Sequence, residues 1–86
     1  MDYQELFEKV KEVIIEHDPI NLASHAPDDE YDSEVAYICP MVGRASSAEE
    51  LSEKIYNLFV DQFDKDTAGD KRKYTAIAEK IFALSK

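Results

Sequence analysis

The chain has 86 residues, of which 44% are hydrophobic and 34% are charged, and its formal net charge is −9. This composition supports one compact core and is not that of a disordered chain, while two glycines leave few positions for the tight turns of an all-β fold. The acidic excess repels phosphate and so argues against nucleic-acid binding. We therefore expect a single helical domain over residues 1–86.

The first helix is predicted between Asp2 and His17. Its apolar residues recur at helical spacing, at Tyr3, Leu6, Phe7, Val10, Val13 and Ile14. Asp2 can cap the helix, because its carboxylate can accept a hydrogen bond from a free N–H of the first turn. Pro19 disfavours a helical conformation at the residue before it, which predicts that the helix ends near His17.

A long connection, from about Asp18 to Glu30, follows this helix and is the best location for a site. Asp18 and Pro19 can start a short helical turn, and an acidic run begins further on. We take the following residues as a candidate interaction or structural loop: Asp18, Pro19, His25, Asp28, Asp29, Glu30, Tyr31 and Asp32. The purely structural interpretation is an Ω-like loop whose apolar residues, Ile20, Leu22 and Tyr31, seal one end of the fold.

The sequence allows two hypotheses of catalytic chemistry, one in this loop and one at Cys39. His17, His25 and the acidic loop could form a metal-dependent or acid–base enzyme, but no pair of residues has the His-x-x-x-His or Glu-x-x-His spacing of helical metal sites. Cys39 could be a nucleophile, although its place on an apolar helix face favours a buried, inert thiol. We therefore assign no catalytic residue, no metal and no cofactor.

The second helix is predicted to begin between Asp29 and Ser33, with Asp32 as the leading cap. Its apolar face consists of Val35, Ile38, Cys39 and Val42. Pro40 lies inside the pattern and should kink or split the helix, and Gly43 is a plausible terminator. Tyr37 does not fit the apolar stripe, and is either an exposed contact for a partner or a half-covered surface ring.

The third helix has the clearest start in the chain. Two capping-box patterns overlap there, Ser46 with Glu49 and Ser47 with Glu50. The apolar residues that follow are Leu51, Ile55, Leu58, Phe59 and Phe63, and they predict a helix to about Asp64. The short connection before this helix predicts that it lies antiparallel to the second.

A polar turn is predicted over residues 64–70, followed by the last helix. The apolar face of that helix contains Tyr74, Ile77, Ala78, Ile81 and Phe82. Its first turn carries the basic run 71–73, which opposes the helix dipole, so we expect the acidic cluster of residues 28–34 to lie near it. Four amphipathic helices predict an all-α fold, a small four-helix bundle with a long structured loop between its first two helices.

Four short elements resemble the YugE-like family of domains of unknown function. They are His17 to Ile20, Asp29 to Asp32, Ile38 with Pro40, and Ser47 to Leu51, and their order covers roughly residues 1–64. The resemblance implies a small helical bacterial protein, and it implies no mechanism and no catalytic residue.

The functional expectation is a small acidic protein-interaction or accessory module. Its partner is either another protein or a second copy of the chain, with no nucleic acid and no membrane involved. Cys39 is the only cysteine, which suits a reducing compartment, and no apolar run approaches the roughly 20 residues of a membrane span. We therefore expect a cytoplasmic protein.

Overall fold

The computed structural model describes residues 2–17 and 31–84, and within these ranges the protein is all α-helical with no strand. The helices are α1 (Tyr3–His17), α2 (Asp32–Arg44), α3 (Ala48–Gln62), α4 (Lys65–Ala68) and α5 (Lys73–Ala83). Helix α1 packs against α2 and α5, and α3 packs against α2, α4 and α5. The four long helices therefore contact one another in a closed ring, around a core to which each contributes.

Helix α1 forms as its sequence predicts. Asp2 caps it, since the Glu5 backbone N–H donates to Asp2 Oδ1 at 2.8 Å, and the helix ends at His17. Val10 and Ile14 are fully buried. Tyr3 belongs to the predicted core face but is 61% exposed, so the buried part of this face begins after the first residue of the helix.

Helix α2 differs from the prediction at its start. Asp32 is its first residue and not its cap; Tyr31 occupies the cap position and makes no side-chain capping bond. The carboxylate of Asp32 instead forms an ion pair with Lys11 of α1, at 2.9 Å. An ion pair between two helices thus replaces the expected local capping bond.

The middle and end of α2 also depart from expectation. Of the two outcomes expected at Pro40, a kink or a split, the split is wrong, since the helix continues through Pro40, and the kink stays a prediction. Pro40 and Ala36 are both exposed, so the Ala36 carbonyl that loses its helical donor can bond to water. Gly43 does not terminate it. The helix runs on to Arg44 and ends through extended backbone at Ala45, whose N–H donates to the Met41 carbonyl. The chain therefore leaves α2 without a residue in the left-handed conformation, for which a glycine would be favoured.

Helix α3 begins at the second of the two overlapping capping patterns. The Glu50 N–H donates to Ser47 Oγ at 3.1 Å, and the Glu50 carboxylate accepts from the backbone N–H and the hydroxyl of Ser46. The predicted apolar face is buried, with Phe63 only partly covered. The antiparallel arrangement of α2 and α3 remains a prediction.

The predicted polar turn contains a fifth, one-turn helix, α4. Asp64 caps it, since the Thr67 N–H donates to Asp64 Oδ1 at 2.6 Å, a bond that lowers the pKa of the Asp64 carboxyl. Gly69 follows with a φ of 80°, in the left-handed region that glycine adopts at little cost. Ala68 is completely buried, which the polar composition of the segment does not indicate.

Helix α5 buries the predicted face, with Phe82 partly covered. The expected proximity of its basic start to the acidic cluster stays a prediction, because residues 28–30 of that cluster lie outside the described residues. Among the described residues, the Arg72 guanidinium pairs with Asp70, two residues away, at 2.9 Å, and its hydrogen bond lowers the pKa of the Asp70 carboxyl. Lys71 lies over the ring of Tyr56, 6.0 Å from its centroid.

Candidate functional site

Most of the predicted loop lies outside the described residues. This applies to Asp18, Pro19, His25, Asp28, Asp29 and Glu30, and to the apolar residues Ile20 and Leu22. The structure places two of the candidates, Tyr31 and Asp32, and also His17, the residue that precedes the loop. These three residues lie at the ends of the described ranges that flank the loop, His17 before it and Tyr31 and Asp32 after it.

Tyr31 is a core residue. Only 1% of its surface is exposed, its ring centroid lies 6.3 Å from that of Phe59 on α3, and its carbonyl accepts the first hydrogen bond of α2 from Val35. A ring of this size, fully buried, contributes on the order of 2 kcal/mol or more to folding. Tyr31 is therefore part of the apolar core, while the rest of the loop with which it is expected to seal one end of the fold lies outside the described residues.

Asp32 and His17 are only partly covered. The Lys11–Asp32 ion pair joins α1 to α2, with 24% and 41% of the two side chains exposed. His17 ends α1, and its Nε2 atom is buried with no hydrogen-bond partner in the part of the chain described here. Across residues 2–17 and 31–84, no three histidine, cysteine or carboxylate side chains lie close enough together to hold a metal ion.

Cys39 lies inside the protein. Its side chain is 3% exposed, and burial raises the pKa of the thiol, so the reactive thiolate is disfavoured. No hydrogen bond from a histidine reaches it among the described residues. Its environment is that of an apolar core residue.

Glu34 carries a buried carboxylate. It belongs to an acidic cluster in the sequence, and such clusters are usually exposed to solvent. Only 5% of it is exposed, although it belongs to the first turn of α2. The sequence spacing indicates this burial, because Glu34 stands four and eight residues before the buried Ile38 and Val42 and therefore lies on the same face of the helix. The first turn of a helix also favours a negative charge.

The solvent side of α2 is the most unusual surface in the described structure. We call it the α2 outer face, and it consists of the exposed residues Ser33, Ala36, Tyr37, Pro40, Gly43 and Arg44. These residues recur at spacings of one to four and form a single stripe opposite the buried residues Val35, Ile38 and Val42. Arg44, the last residue of the helix, is the one charged residue among these six, in a chain of which 34% of the residues are charged.

Tyr37 is the centre of this face. It is 55% exposed, as the sequence pattern predicts, and with Tyr3 it is one of two large hydrophobic residues of the described chain with that much exposure. A Cβ atom added at Gly43 would meet nothing within 4 Å, so the surface near that end is open. The face therefore presents one aromatic ring among small side chains, with one arginine at its end, and both Tyr and Arg are enriched at contact surfaces.

The outer side of α1 has the opposite character. Glu5, Glu8, Glu12 and Glu16 are exposed and recur every three or four residues along it. Of these, Glu16 pairs with Lys80 of α5 at 3.2 Å. This acidic stripe is suited to hydration, and it repels a second acidic surface.

Comparison of the chain with family models, with curated proteins and with solved structures finds no match. No helix in the described ranges combines the length and the apolar character needed to cross a lipid bilayer.

Proposed function

We propose that this protein is a small protein-interaction module that binds through the α2 outer face. The observation that carries the proposal is the 55% exposure of Tyr37 on a helix face whose one charged residue, Arg44, lies at the end of the helix. Exposed aromatic rings are enriched in protein contacts, where they bury a large area and lose little conformational entropy. A helix that served only to complete the core would normally carry several charged residues on its solvent side.

The fold supports this role by holding α2 in place. We propose that the four long helices form a bundle, which their ring of contacts supports. The buried stripe of α2 and the Lys11–Asp32 ion pair attach the helix along its inner side. The outer face is thereby presented on a fixed element, which lowers the entropic cost of binding.

The remaining assignments stand on the sequence. We propose a relationship with the YugE-like family, which rests on the four short elements, two of which fall in α2 and at the start of α3. We also propose a cytoplasmic location, since a single buried thiol suits a reducing compartment.

Site-specific photocrosslinking tests the proposed face. A photoreactive residue at position 37 should give protein adducts in an extract of the native host, and the same residue at position 57 should not. Asn57 is the matched control, because it is also uncharged, exposed and helical, but lies on α3. Equal adducts from both positions, or none from position 37, would contradict the proposal.

A further inference from the structure

We draw no further inference here: the strongest candidate, the α2 outer face around the exposed Tyr37, belongs to the function already proposed, and nothing in the described part of the structure shows what covers it.

Discussion

The pair of helices α1 and α2 and the unit formed by α3, α4 and α5 are held together by different kinds of contact. In the α3–α5 unit the rings of Tyr56, Phe59 and Tyr74 meet, with centroids 5.3 to 5.7 Å apart between Tyr74 and the other two. The α1–α2 pair has aliphatic residues at its centre and an ion pair at its side. The helix that offers a free surface therefore belongs to the half without the aromatic cluster, so changes on that surface should leave the core intact.

Phe59→Ala should have the largest effect on stability. Phe59 is fully buried and packs near the rings of Tyr31, Phe63 and Tyr74, so its loss removes apolar area and leaves a cavity, at a cost of about 3–5 kcal/mol. A denaturant titration measures the change. Ile38→Val in α2 is the comparison from the other half, and it should cost only about 0.5–1.5 kcal/mol. A loss for Phe59→Ala no larger than that for Ile38→Val would show that the Phe59 ring is not tightly packed in the core.

Tyr74→Phe should have the next largest effect at neutral pH. The Tyr74 hydroxyl donates to the carbonyl of Ala68 at 2.7 Å, inside the protein. Removing the hydroxyl leaves a buried carbonyl without its donor, at a cost of about 1–3 kcal/mol. Equilibrium unfolding in urea at pH 7 measures it, and an unchanged midpoint would mean that water replaces the hydroxyl.

The same variant has a distinctive pH dependence. Burial, with smaller effects from Tyr31 and Tyr56, raises the pKa of Tyr74 in the folded protein, whereas the unfolded chain ionises near the ordinary value of about 10. The stabilisation by Tyr74 is therefore complete below about pH 10 and is lost as the pH rises towards the folded pKa. Between pH 8 and 11, the wild type should lose stability faster than Tyr74→Phe, by up to about 1.4 kcal/mol per pH unit. Parallel profiles would refute this.

Ser47→Ala should cost about 1 kcal/mol, because it removes the acceptor for the Glu50 N–H at the start of α3. Ser46→Ala is the matched control. Its hydroxyl contacts only the Glu50 carboxylate, at the protein surface, so the change in thermal midpoint should be clearly smaller. A larger effect at Ser46 would assign the cap to the first of the two overlapping patterns.

Lys11→Gln should have the smallest effect. The Lys11–Asp32 pair is partly exposed, and such pairs contribute roughly 0–1 kcal/mol, less as salt is added. A double-mutant cycle with Asp32→Asn isolates the coupling. A coupling that is equally large at high salt would indicate that Lys11 acts by packing its aliphatic stem between the two helices.

Helical spacing is sufficient to predict the four long helices and most of their buried residues. It succeeds because each helix buries a single stripe, so that Ile14, Ile55 and Ile77 can be identified from position alone. It also indicates that Tyr37 lies off the stripe. The position of a residue on its own helix is a local property, so the spacing of apolar residues within that helix is enough to predict it.

The errors arise where tertiary contacts decide the outcome. Asp32 has the residue type of a cap, but Lys11 lies 21 positions away in the sequence and only the fold brings the two together. The one-turn helix α4 is missed because its stability depends on the burial of Ala68 and on the bond from Tyr74, which no pattern within residues 64–70 reveals.

The connection between α3 and α5 should respond late to acid. Hydrogen bonds from Thr67 lower the pKa of Asp64, and hydrogen bonds from Arg72 lower that of Asp70. A lowered pKa gives stabilisation that is present above the ordinary Asp value of about 3.9 and disappears only as the pH falls through the lower folded value. During acidification these two carboxylates should therefore take up protons after an unperturbed aspartate has done so. The hydrogen bonds that Asp64 and Asp70 accept should therefore persist to a lower pH than those of an aspartate with the ordinary pKa.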